Sequence, residues 1–275
     1  MNTSARIAAA MAVIAAGLGN SVGGWSANAA LNCPDVQVVF ARGTGEAPGV
    51  GPTGQAFVDS LRARLGPRPL DVYAVNYPAS DEWATGVEGI RDAGAHVVSM
   101  AQNCPKTKMV LSGYSQGAAV MGFVTSAAVP DGVDPATVPK PLAPEVADHV
   151  AAVVLFAVPN VRAMNFLDEP PVVIGPTYDA KTLKVCAVDD AVCSDGLNFA
   201  AHDTYAQNAD LVRQGVDFAA TRLGAGPPAP PPAAAPIAGG PAAGPPLSPG
   251  DWADTAPAAP TPAPAAPAPA PPPTP

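Results

Sequence analysis

Across residues 31–224, short apolar runs alternate with longer segments whose apolar positions recur every three to four residues. The runs have the character of buried strands, and the longer segments that of amphipathic helices. Residues 36–40 (VQVVF) read as a first strand, followed by a glycine-rich loop over 42–54 and a helix over 55–65. A second strand over 71–76 (DVYAVN) stops at Tyr77-Pro78 and leads to a helix over 86–102. The strand at 108–111 runs through Gly113 into an Ala-rich helix over 116–127. Residues 150–156 (VAAVVLF) are apolar almost without interruption, as in a strand covered on both faces. A fifth strand is expected at 183–186 and a closing helix at 206–223. Strands and helices alternating in this way predict an α/β fold with a parallel sheet between helical layers.

The two ends of the chain break the pattern. Residues 1–30 carry one charge, Arg6, then an apolar run from Ile7 to Leu18 and the small-x-small triplet Ala27-Asn28-Ala29. That is the layout of an export signal peptide cleaved after Ala29 or Ala30. The run is too short to cross a hydrocarbon core of about 30 Å, and no other segment is long and apolar enough, so no transmembrane anchor is expected. Residues 225–275 hold 20 of the 36 prolines, with Asp251 and Asp254 as their only charges. Repeated Ala-Pro and Pro-Pro steps favour an extended polyproline spacer. Such a spacer serves equally as a cell-wall or protein-binding tether or as an extension without function. A net charge of -9 and the lack of a Lys/Arg cluster argue against a nucleic-acid partner and against an anionic membrane surface.

Export also decides how four cysteines are read, because thiols outside the cytoplasm are normally oxidised. Four cysteines allow three pairings. Cys186 and Cys193 are close enough to close a small loop, which leaves Cys33 and Cys104, each just ahead of a strand. The latter pair fits if those strands are neighbours. A zinc site is the weaker reading, since there is no C-x-x-C pair and no His at ligand spacing.

Candidate chemistry begins at Gly113-Tyr114-Ser115-Gln116-Gly117, a G-x-S-x-G between a strand and a helix. So sharp a reversal exposes the central serine, and the helix N-terminus turns backbone N–H groups toward a developing oxyanion. A serine hydroxyl needs an imidazole to take its proton, and there are three histidines. His96 is expected on the outer face of its helix, away from a stripe of Val87, Ile90, Gly94, Val97 and Ala101. His149 stands at the amino end of a strand, the wrong edge for ligands in an open α/β sheet. His202 follows the last strand, at the right edge. The acid belongs between Ser115 and His202, where Asp189 and Asp190 both qualify inside the Cys186 to Cys193 loop.

Taken with Phe40-Ala41-Arg42-Gly43-Thr44 after the first strand and Ala201-His202 with Tyr205 near the end, these motifs resemble the cutinase-family serine esterases, in their bacterial cutinase-like branch. The resemblance covers about residues 33–223 and excludes the tail. It implies a lidless α/β-hydrolase with a central five-stranded parallel sheet and helices on both faces. It also implies Ser115 as nucleophile, Asp190 as acid, His202 as base, and the backbone N–H groups of Thr44 and Gln116 as oxyanion hole. Both cysteine pairs fall where family disulfides lie. The expected protein is a secreted or cell-wall-associated monomer that needs no metal or cofactor and acts on short- to medium-chain or lipid carboxylic esters. A carbohydrate acetyl esterase or phospholipase of the same fold, or a catalytically weak tethered surface protein, are the alternatives. Leu197 and Phe199, with Leu167, Pro171, Val172, Val173 and Ile174, are expected either as lips for an acyl chain or as ordinary packing.

Overall fold

The structure is a computed structural model and describes residues 33–226 of the 275. The expected signal segment and all but two residues of the expected tail lie outside the described residues. In chain order the elements are β1 (Val36–Ala41), α1 (Gly51–Leu65), β2 (Leu70–Ala74), α2 (Gly86–Asn103), β3 (Lys108–Tyr114) and α3 (Gln116–Val124). There follow β4 (Val150–Phe156), α4 (Val161–Phe166), α5 (Pro176–Asp179), β5 (Thr182–Val185), α6 (Phe199–His202) and α7 (Ala209–Arg222). All strand pairings are parallel and the order is β2-β1-β3-β4-β5.

Alternation along β1 divides the core in two. Val36, Val38 and Phe40 point to the face covered by α1 and α7, where Phe57 meets Phe156 edge-on at 5.4 Å. Val39 and Ala41 point to the face covered by α2 and α3, beside Leu111, Val153 and Leu155. Because both faces are covered, every residue of β1 is buried. The strand order reverses between β1 and β3, which opens a crevice beyond their carboxyl ends. The Thr44 loop leaves β1 there, and Ser115 follows β3 there.

Two departures from the expected pattern have local causes. Helix α1 begins at Gly51 rather than residue 55, because Pro52 sits in its first turn, where a missing N–H costs nothing. On α2 the buried positions are Gly86, Gly89, Ala93, Val97 and Ala101, so the helix is rotated from the expected stripe. The small residues set the close approach: a Cβ on Gly89 would stand 3.0 Å from the Tyr77 ring and 3.1 Å from Val120. His96 is consequently not an outward surface residue. It is half-buried, stacked on Tyr73 with ring centroids 3.5 Å apart, and its Nε2 lies 2.7 Å from Gln37 Oε1.

Both expected cysteine pairs are bonded, with Cα separations of 5.6 Å for Cys33–Cys104 and 5.9 Å for Cys186–Cys193. The first follows from the register, since β1 and β3 are neighbours with Val36 opposite Lys108.

Candidate active site

Ser115 turns the chain from β3 into α3 with φ of 52°, a left-handed backbone that serine rarely adopts. Neighbouring atoms hold it there: Ser115 N–H donates to Phe156 O at 2.9 Å, and Ser115 O accepts from Ala119 N–H at 3.1 Å. Both flanking glycines are required by contact. A Cβ on Gly113 would fall 2.3 Å from Gly117 O, and one on Gly117 would fall 2.0 Å from Ala41 O.

Of the three histidines, only His202 reaches the serine. Its Nε2 is 2.8 Å from Ser115 Oγ, and its Nδ1 is 3.0 and 3.1 Å from the two oxygens of Asp190. His149 contacts Pro105 O through Nδ1, at the amino end of β4. The carboxylate in line is Asp190, fully buried, whereas Asp189 is exposed with φ of 65°. Burial alone pushes the Asp190 carboxyl up. Hydrogen bonds from His202, the Val192 N–H and the Tyr205 hydroxyl outweigh it, and the carboxyl lies below its ordinary value. The Cys186–Cys193 bond closes the turn that carries it.

Two tyrosines complete the row, and both are silent in the spacing argument. Tyr205 donates its hydroxyl to Asp190 Oδ2 at 2.7 Å and accepts the Ala187 N–H at 2.7 Å. Tyr114 stacks on the His202 ring at 5.4 Å and donates to His202 O at 2.6 Å. The residue before the serine thus steadies the histidine from behind.

The loop with Thr44 is fixed by charge. Arg42 is buried, and it donates from Nε to Glu46 O at 2.8 Å and from Nη2 to Tyr77 O at 2.6 Å. The Glu46 carboxylate accepts Gly43 N–H at 2.7 Å, and Gly45 N–H donates to Ala79 O at 2.6 Å. Burial raises the Glu46 carboxyl against the opposing pull of Gly43 N–H and Arg42. Gln116, 1% exposed at the head of α3, donates from Nε2 to Ser80 O at 2.9 Å; its Oε1 has no partner among the described residues. Leu197 and Phe199, just ahead of His202 in the chain, stand exposed, and Val173, ahead of α5, is exposed too. Val172 and Ile174 instead pack on α3 at Gly122.

A parallel sheet of this order, with a serine on a strained strand-to-helix turn facing a histidine and a buried carboxylate, defines an α/β-hydrolase. The family profile described as Cutinase matches residues 32–223. The chain therefore belongs to the cutinase family and is a carboxylic ester hydrolase. It is 54% identical over 168 residues to the probable carboxylesterase Culp5 of Mycobacterium tuberculosis, covering 61% of this chain and 95% of that one. Over 195 residues it is 41% identical to the phospholipase Culp4 of the same organism, covering 71% and 81%. Among solved structures, an acetyl xylan esterase superposes with a TM-score of 0.57 at 27% identity, covering 70% of this chain and 99% of that one.

Proposed function

We propose that the protein is an exported serine esterase that hydrolyses short- to medium-chain or lipid carboxylic esters through an acyl-enzyme. Ser115 Oγ attacks the ester carbonyl carbon while His202 Nε2 takes its proton. The oxyanion is held by the backbone N–H groups of Thr44 and Gln116, the second at the positive end of α3. Collapse breaks the bond to the alcohol, which leaves with the proton from His202. A water then attacks the acyl carbon and gives a proton to Nε2; the bond from the acyl carbon to Ser115 Oγ breaks, Nε2 returns the proton to Oγ, and the acid leaves. Asp190 keeps the imidazole in the tautomer that presents a bare Nε2 to the serine and stabilises the imidazolium.

One observation carries this reading: His202 stands 2.8 Å from Ser115 Oγ on one side and 3.0 Å from a buried carboxylate on the other. The bonded cysteines favour an oxidising compartment, so action outside the cytoplasm and a spacer role for the proline-rich tail belong to the proposal. The phospholipase and acetyl xylan esterase among the similar proteins define the second reading, in which the acyl group sits on a phospholipid or a sugar. The test is hydrolysis of p-nitrophenyl esters from acetyl to palmitoyl by the mature protein, beside Ser115→Ala. Turnover that vanishes in the variant supports the esterase. A folded, oxidised protein without turnover on any ester, acetylated sugar or phospholipid would leave the tethered surface protein.

A further inference from the structure

The corner between β4 and α4 holds Ser115 on one side and the acid turn on the other. Phe156 O, at the end of β4, accepts the Ser115 N–H at 2.9 Å. Ala157, fully buried with φ of 52°, then bends the chain, and α4 begins at Val161. From the head of α4, Asn160 and Arg162 reach across to the residues that follow Asp190.

Those residues link the acid to the base. Ser194 donates to Asp190 O from its N–H at 3.0 Å and from its hydroxyl at 2.7 Å, and Asn198 N–H donates to Asp189 O at 3.0 Å. Phe199 then opens α6, which ends on His202. The ring closed by Cys186 and Cys193 stops short of this arm, so residues 194–198 are not constrained by it directly.

Arg162 supplies the missing hold. Its Nη2 lies 3.1 Å from Ala191 O, 3.2 Å from Ser194 O and 2.8 Å from Gly196 O, and its Nη1 lies 3.2 Å from Asp195 O. Carbonyl oxygens thus converge on a single guanidinium, and Nη2 has fewer hydrogens than oxygens around it. Such a cage is held by the positive charge as much as by paired bonds. Asn160 adds a bond from Nδ2 to Ser194 O at 2.7 Å and another from its N–H to Val192 O at 2.9 Å. Among the described residues no carboxylate is paired with Arg162, so the carbonyls are its partners.

We propose that Arg162 is a positioning residue, whose guanidinium fills the carbonyl cage of residues 191–196 and keeps Asp190 and His202 in register with Ser115. The inference rests on the triad reading above and adds to it a side chain that makes no hydrogen bond to any triad side chain. Because Arg162 is exposed, its removal leaves a cage that a dissolved cation can enter.

The test is kcat and KM of the full oxidised chain on p-nitrophenyl butyrate. Arg162→Ala lowers kcat by about tenfold to a hundredfold and leaves KM within about twofold, since the freed arm carries groups that act on the reacting atoms. Ethylguanidinium, the part of the side chain that this variant lacks, raises its kcat by about fivefold, short of full recovery because a free cation must be immobilised. Ethylammonium has the charge without the planar fork and leaves kcat level, as ethylguanidinium does in the native protein. Arg162→Gln keeps the stem, removes the charge and loses kcat at constant KM, so a misfolded Arg162→Ala still leaves a measurement. Native kcat in either folded variant would overturn the clamp and spare the esterase. So would a loss confined to KM, or a loss in folded Arg162→Ala that ethylguanidinium leaves in place. Absence of Ser115-dependent turnover in the native protein would defeat the triad reading and the clamp together.

Discussion

The Tyr205 hydroxyl donates to Asp190 Oδ2 at 2.7 Å, and neither side chain reaches solvent. The Tyr205 hydroxyl oxygen also accepts the Ala187 N–H, so one phenol joins the end of β5 to the carboxylate beside His202. Tyr205→Phe keeps the packing and removes both bonds, leaving a buried donor and a buried acceptor short of a partner. We expect a stability loss of about 1–3 kcal/mol in urea denaturation. As a positioning residue, Tyr205 should affect kcat more than KM, by about tenfold to a hundredfold. Wild-type kcat in the variant would show that Asp190 needs no such support.

Asp190→Asn should lower kcat by roughly ten-thousandfold, because an amide can donate to Nδ1 and so favour the wrong imidazole tautomer. Asp189→Asn should leave kcat within about twofold, since that residue is exposed and asparagine tolerates its left-handed backbone. The comparison reads directly on a soluble ester, and the reverse ranking would assign the acid to Asp189.

Arg42→Lys replaces a planar fork serving several carbonyl oxygens with a single ammonium. The Thr44 loop then loses its tie to residues 75–78. Because the proposed oxyanion donor Thr44 would act mainly in the transition state, kcat and kcat/KM should fall together, by about tenfold to a hundredfold. A rise in KM alone would place the effect in substrate binding.

The two disulfides should separate stability from activity. In the chain-entropy model the Cys33–Cys104 closure contributes about 4 kcal/mol and the Cys186–Cys193 closure about 2.5 kcal/mol. Replacing the first pair with alanine should lower Tm more. Replacing the second should lower kcat more, since it frees the turn carrying Asp190. Equal loss of activity in both variants would show that the small ring does not hold the acid.

Acid stability should reflect two carboxyls of opposite sign. The Asp190 carboxyl is depressed below its usual 3.8, so its contribution is present above that pH and is lost as pH falls through the folded value. The Glu46 carboxyl is raised above 4.5, so its contribution is present below that pH and is lost as pH rises through the folded value. Glu46→Gln should remove that second decline while retaining an acceptor for Gly43 N–H. Denaturation from about pH 3 to about pH 8 measures it, and an unchanged curve above 4.5 would assign the decline to other groups.

Strands were the legible part of this chain, because residues 150–156 and 36–40 must be apolar on both faces to sit inside a parallel sheet. Ser115 and His202 were legible for a different reason, a rare turn and a short list of imidazoles. Spacing left Asp189 and Asp190 equivalent, and only the resemblance chose Asp190; in the structure Asp190 is buried against His202, whereas Asp189 is exposed with a left-handed backbone. The α2 stripe was misjudged because bulk was weighted over closeness. Gly86 and Gly89 face Val120 of α3 and the Tyr77 ring so that the helix can come near, while Val87 and Ile90 line a cleft beside α3. The helix expected over 116–127 ends at Val124, and residues 128–142 carried no periodic signal.

The Cys33–Cys104 bond encloses β1, the Thr44 loop, α1, β2 and α2, while Ser115, Asp190 and His202 lie beyond it. A single proteolytic cut anywhere inside that ring cannot release a fragment. The nicked chain migrates as one molecule until it is reduced, and the segment with Thr44 stays linked, through Cys104, to the strand that leads to Ser115.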